Sequence, residues 1–417
     1  MFKRKTDYGY YSDYNSKSSR PRLRLDRTVL IVVACIVLVL GLVGFINRDR
    51  IHLMYDGYSL DEANAILELD GDDISTIYSF DKLDHIETWI DNSKKVKFYN
   101  AYEKYYEINP KYKVKKVIKN VDKIFTSQQP KLKALGYSDK VIWDMIKTSS
   151  IDDLQSIIDN SLTAKQTAPY RKVKGYELSN MSAYIEKYKE VKNYNYAVNI
   201  VNYPFLVGSA SQTVNEKYTI TNSTDLLALV KKGFYLPKSY EPKDLVTPDM
   251  PIAPDCENSK LRKVASDALV KMYKAAKEEG YNLVLNSGYR SYETQQQTYK
   301  DFESKYGGQY AAEYVATPGA SEHQTGLGVD LTSESVVNKQ KNVFGDTSEY
   351  KWVMKNAAKY GFICRFPEDK SDITGIEHEP WHFRYVGVKI AKEITDKGWT
   401  FEEYCLKTNT IPQVTKN

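Results

Sequence analysis

The sequence predicts an α+β domain with a small, mostly antiparallel sheet flanked by helices, preceded by a mainly helical region and one N-terminal transmembrane helix. Three observations carry this reading. One unbroken apolar run lies near the N-terminus, a Lys- and Tyr-rich stretch of short amphipathic periods follows it, and the last part alternates helical patterns with short apolar strands. At 417 residues the chain exceeds one ordinary core, so several units are expected.

The apolar run, VLIVVACIVLVLGLVGFI from Val29 to Ile46, has the length of a bilayer-spanning helix, placed over residues 28–46. Residues 1–27 form a basic tail with Lys3, Arg4, Lys5, Lys17, Arg20, Arg22, Arg24 and Arg27. The positive-inside bias keeps that tail in the cytoplasm and exports everything after Arg50, giving a single-pass cell-membrane protein. A cleaved signal peptide fits less well, because GFINRDR offers no small-residue cleavage site. A buried helix of a soluble core would rarely be apolar on every face. The net charge of +5 sits partly in the tail, so the exported part lacks the basic bias of a nucleic-acid binder. Cys35 lies in the apolar run, and Cys256, Cys364 and Cys405 are too few for a disulfide framework; one bridge among them leaves one free thiol.

Residues 47–235 read as short helices joined by turns, with a weak internal repeat. GYSLDEANAILELDGDDISTIYSF from Gly57 parallels GYSDKVIWDMIKTSSIDDLQSII from Gly136, each a capped helix, a polar turn and a second helix opening at Asp-Asp. An aromatic stretch follows each, NAYEKYYEINP at Asn100 and SAYIEKYKEVKN at Ser182. This region reads as a spacer or as a wall-binding stalk. Tyrosine abundance, 35 residues in all, suits carbohydrate stacking, although tyrosine at helical spacing is more often half-buried packing.

Pro237, Pro242, Pro248, Pro251 and Pro254 then forbid a long helix and predict an extended lead-in to a domain over 236–408, with 409–417 as a tail. Asn258 or Ser259 is expected to cap a helix whose stripe runs through Leu261, Val264, Ala265, Ala268, Leu269, Met272 and Ala276 to a stop at Gly280. Tyr281 to Asn286 reads as a buried strand turning at Ser287 and Gly288. Helices are expected over Tyr292–Tyr306 and Ser348–Tyr360 and after Val388, with short strands at LGVDL and FRYV.

Of five histidines, His323, His378 and His382 fall in this domain. In SEHQTGLGVDL a turn between His323 and Asp330 can bring an imidazole and a carboxylate to one point, as a catalytic zinc site with about three protein donors requires. The third donor is expected from EHEPWHFRYV. His378 to His382 spell HExxH, the zincin pattern, but Pro380 opposes the helix that pattern needs, and FRYV reads as a strand. The extended alternative makes His382 the ligand and Glu379 the general base, with His378 most simply exposed.

SGYRS at Ser287, SEHQTGLGVD at Ser321 and EPWHFRYVG at Glu379 together resemble the zinc D-alanyl-D-alanine carboxypeptidase family of the VanY and LD-carboxypeptidase type. The resemblance covers about residues 236–408. It implies a hedgehog/DD-peptidase-like fold, Zn2+ held by His323, Asp330 and His382, and Glu379 as catalytic base. It further implies Arg290, a stabiliser of developing charge, and Ser321 as site residues; Ser321 and Gln295 are read as holding the substrate's backbone, and Trp381 as walling the pocket or packing in the core. The implied activity is removal of the C-terminal D-alanine from peptidoglycan stem peptides, by D,D or L,D cleavage. Two alternatives stand beside it: a gluzincin-like peptidase using His378 and His382 together, and a non-catalytic wall-binding protein on the same fold.

Overall fold

A computed structural model of the chain describes residues 26–209 and 212–417; Lys3 to Arg24 of the basic tail lie outside the described residues. The chain divides into two compact units, Met1–Ser127 and Gln128–Asn417.

The first unit opens with the helix Arg27–Ile46, whose N-cap Asp26 accepts from the amide of Thr28. None of its residues is buried, and it is long and apolar enough to cross a membrane. Helices at Leu60–Leu67, Gly71–Tyr78 and Ile86–Asn92 follow, then a tight turn at Val96–Phe98 and helices at Tyr99–Ile108 and Val114–Lys123. The second unit begins its own series at Asp139–Ile146, Ile151–Asp159 and Ala164–Arg171, with a tight turn at Leu178–Asn180 and helices at Met181–Val191 and Tyr194–Asn202. The order of six elements thus recurs about 80 residues later, further than the two matching stretches alone extend. Ser59 and Ser150 each close a capping box, which explains why such short helices start where they do. The tyrosines of these bundles mostly pack inward: Tyr99, Tyr102 and Tyr184 are wholly buried.

The second unit continues into a four-stranded antiparallel sheet made of β1 (Leu283–Ser287), β2 (Gly328–Ser333), β3 (Phe362–Cys364) and β4 (His382–Tyr385), in the spatial order β1-β2-β4-β3. Helix α1 (Lys263–Glu278) lays Ala265, Leu269, Met272 and Ala276 against the sheet's Leu283, Leu285, Val329, Leu331, Phe362 and Phe383. It starts later than a cap at Asn258 or Ser259 would have it. Leu261–Arg262 is instead taken into an antiparallel pair with Leu245–Val246, and Arg262 holds Asp244 at 3.1 Å. Helix α2 (Tyr292–Tyr306) begins at the Ser291 cap as its sequence indicates. The helix at Ser348–Asn356 tightens over Ala357–Tyr360 and stops at Gly361, whose φ is 90°.

Several elements had no clear sequence signal. These are helix α3 (Gly308–Tyr314), strand β3, the helix Phe401–Thr408, and a small sheet in which Tyr218–Ile220 lies between Phe234–Tyr235 and Val414–Lys416. Through that sheet and the packing of Tyr194–Asn202 on Phe401–Thr408, residues before 236 and after 408 share the second unit's core. All cysteines among the described residues are free thiols.

Candidate active site

The sheet register sets the first row of the site. Ser287 on β1 faces Asp330 on β2, and Asp330 faces His382 on β4, so three polar side chains line up across adjacent strands. His323 joins them from the tight turn Glu322–Thr325 that precedes β2. Gly328 makes the approach possible, since a Cβ there would meet the His382 ring at 3.2 Å. Gly288 does the same on the other side, where a Cβ would sit 2.5 Å from the Lys260 carbonyl. The turn carrying Asn258 and Lys260 is therefore a brace for the SGYRS turn: their carbonyls accept from the amides of Gly288 and Tyr289.

His323, Asp330 and His382 are all buried and each offers a donor atom within 4.8 Å of the other two, an arrangement able to hold a metal ion. His323 Nδ1 donates to the Gly288 carbonyl at 2.6 Å, which leaves Nε2, 3.4 Å from Asp330, as the free lone pair. His382 Nδ1 lies 2.8 Å from Asp330 Oδ1. Burial favours neutral Asp330, but the two imidazoles outweigh it and hold the carboxyl well below its usual range. Burial also lowers the basicity of His382, yet the neighbouring carboxylates of Asp330 and Glu322 push it up to about 10, while His323 stays below its ordinary value because burial dominates there.

Behind this row lies a buried ion cluster that the motifs did not indicate. Glu322 Oε1 pairs with Arg365 at 2.9 Å and with Arg384 at 3.0 Å. Arg365 in turn holds Glu402 through two bonds of 2.7 and 3.0 Å, and Lys231 reaches Glu402 at 3.2 Å. The two arginines drive Glu322 far below the usual carboxylate range against the cost of burial. Its other oxygen, Oε2, has no hydrogen-bond partner and lies 3.6 Å from the equally unpartnered Nε2 of His382. Buried charges of this kind are costly unless fully paired, so their geometry is fixed. The sequence signal was present but faint: arginines directly after FIC and inside FRYV stand in apolar strand contexts.

These residues open on a cavity of about 290 Å³ lined also by Arg290, Gln295, Ser321, Glu379 and Trp381. All eight residues singled out in the sequence therefore meet at one place. Arg290 is held by Gln295 Oε1 at 3.0 Å and Ser287 Oγ at 3.2 Å, and Gln295 is itself fixed by donating to the Ala316 carbonyl. Glu379 is half-buried, and desolvation raises its carboxyl to about 7. Residues 377–381 are not helical, and His382 opens β4. His378 is half-buried and bonded through Nδ1 to the Phe366 carbonyl at 2.8 Å, which corrects the expectation that it is simply exposed. It lies outside the donor group, since the turn at Pro380 separates it from His382.

The model of the VanY D-alanyl-D-alanine carboxypeptidase family matches residues 258–388. A putative carboxypeptidase, YodJ, of Bacillus subtilis (strain 168) is 50% identical over 195 residues, which cover 46% of this chain and 71% of that protein. The chain belongs to the VanY D-alanyl-D-alanine carboxypeptidase family. It is a carboxypeptidase by that membership. A bifunctional D-Ala-D-Ala dipeptidase and D-Ala-D-Ala carboxypeptidase of Enterococcus gallinarum is 35% identical over 43% of this chain and 92% of its own length. Among solved structures, the LdcB LD-carboxypeptidase is 46% identical over 48% of this chain and 97% of its own, with a TM-score of 0.44.

Proposed function

We propose that this VanY-family chain is a zinc-dependent carboxypeptidase that removes the C-terminal D-alanine from peptidoglycan stem peptides at the cell surface. The observation that carries the reading is the His323, Asp330 and His382 donor group set beside a half-buried Glu379 in one cavity. Two imidazoles and a carboxylate are the donor types of a catalytic zinc site, and an outer carboxylate beside a ligand imidazole, here Glu322 beside His382, belongs to the same pattern. Zinc held there would supply Lewis acidity, acidifying water and polarising a carbonyl.

The chain's own residues do the rest. Glu379, with its carboxyl near neutrality, takes a proton from the attacking water and returns it to the leaving amine. Arg290, clamped by Gln295 and Ser287, stabilises negative charge developing on the carbonyl oxygen. Ser321 and Trp381 contact the substrate backbone, and Gln295 acts by orienting Arg290. Residues 236–408 carry the catalytic machinery on a core completed by residues before 236, and the helical region over 47–235 follows a membrane anchor at 28–46 whose basic tail is cytoplasmic.

Incubating the zinc-loaded chain with tetrapeptide and pentapeptide stems and weighing the products by mass spectrometry tests this. Loss of one D-alanine from the pentapeptide marks D,D cleavage and from the tetrapeptide L,D cleavage. Release from neither would overturn the reading.

A further inference from the structure

On the outer side of the cavity a run of aromatic rings leaves the site and is not consumed by packing. Helix α2 lines the cavity with Gln295, Thr298 and Phe302, spaced three and four residues apart on one face. Tyr306 is the next position on that stripe. Phe302 meets Tyr306 at 5.4 Å between ring centroids, Tyr306 meets Tyr310 at 5.1 Å, and Tyr310 stacks on Tyr314 at 4.4 Å and 25°. Tyr314, on α3, returns to the cavity wall. The ladder thus starts and ends at the cavity and projects Tyr306 and Tyr310 beyond it, with 49% and 42% of their surface exposed; Tyr314 keeps 45%. In the helical region, by contrast, Tyr99, Tyr102 and Tyr184 bury their rings completely. Lys305 sits 4.9 Å from the Tyr306 ring, giving the apolar patch a polar rim.

We propose that Tyr306 and Tyr310 form a sugar subsite that stacks on the amino sugar carrying the stem peptide, a reading that rests on the proposed function. Span decides the occupant. Gln295, which holds Arg290, lies eleven positions before Tyr306, about 16 Å along an α-helix. Three or four extended residues between the scissile bond and the sugar, with the short acyl link that joins peptide to sugar adding about one residue length, reach about 13 to 17 Å. A stem with its cleavable end at Arg290 therefore delivers its first sugar to the level of the ladder. Exposed rigid rings with hydroxyl tips suit the apolar face and polar edge of a sugar at small entropic cost.

The test compares a bare stem peptide with the same stem on its disaccharide. Tyr306→Ala with Tyr310→Ala is expected to raise KM for the disaccharide substrate by about tenfold, leaving kcat and the bare-peptide KM unchanged. Both side chains are exposed, so folding is spared, and Tyr→Phe at both positions is expected to retain most of the effect of the rings. Equal changes for both substrates, or none, would overturn the proposal. Calorimetric binding of the disaccharide substrate to the zinc-loaded Glu379→Gln protein, with and without the two alanines, separates the readings. Ladder-dependent binding without turnover in the parent would sink the hydrolytic reading and leave the subsite standing. Equal binding with and without the rings would sink the subsite.

Discussion

On one wall of the cavity His323, Asp330 and His382 retain 6%, 9% and 4% of their surface, and every charge behind them is paired. Elsewhere in the lining, its open wall, Arg290 is half-buried, Trp381 is 36% exposed, and Tyr306 and Tyr310 beyond the cavity stand 49% and 42% exposed. The buried wall stores geometry: a low-dielectric interior makes misplaced charges expensive, so the donors stay where they are. The open wall stores contact area, which tolerates adjustment. On the proposed reading, holding the metal belongs to the first and contact with the substrate, Arg290's included, to the second.

Replacing residues on each wall should separate these two. His382→Ala is expected to abolish zinc retention after dialysis, measured by atomic absorption, together with D-alanine release. Glu379→Gln should keep zinc but lower kcat by about 10²- to 10⁴-fold; unchanged turnover would remove Glu379 from the role of base. Glu322→Gln is expected to weaken zinc binding by about 10- to 100-fold in a competition assay, since an outer carboxylate orients its histidine. It should also lower Tm, because buried Arg384 loses its counter-charge and Arg365 loses one of its two carboxylates.

A pH series on metal-free protein sharpens the role of burial. Glu379 holds its proton up to about 7 when folded, against 4.5 for the ordinary carboxyl. The folded state therefore binds more protons between those values, and the stability this contributes is full below 4.5 and lost as pH rises through about 7. Wild-type Tm should fall relative to Glu379→Gln across that window; parallel curves would show that Glu379 is not desolvated. The smallest effect is expected at His378→Ala, which removes one bond to the Phe366 carbonyl and should leave zinc content intact. Loss of zinc there would revive the paired-histidine reading.

The site was legible where the chemistry demands rare residues close together: three histidines, an Asp after a glycine turn, and a proline that forbade the helical reading of HEPWH. Strands β1, β2 and β4 were legible because they carry those residues in apolar runs. What escaped was either short or non-local. Strand β3 offers only Phe362–Cys364, and α3 follows α2 after a single glycine at 307, so periodicity had nothing to measure. Glu322, Arg365, Glu402 and Lys231 come from four separate segments, and nothing in any one of them announces the others. The start of α1 was misplaced because pairing with Leu245–Val246 overrides local capping.

The ion cluster also sets where this chain can be cut. Lys231 precedes residues 258–388 and Glu402 follows them, yet Glu402 is buried against Arg365 inside that span and Lys231 pairs with Glu402. A fragment trimmed to the matched span would strand Arg365 with half its counter-charge and expose the floor beneath His382. The portable unit of this enzyme therefore runs at least from Lys231 to Glu402, and any graft or fusion that ends inside those limits carries the catalytic row without its foundation.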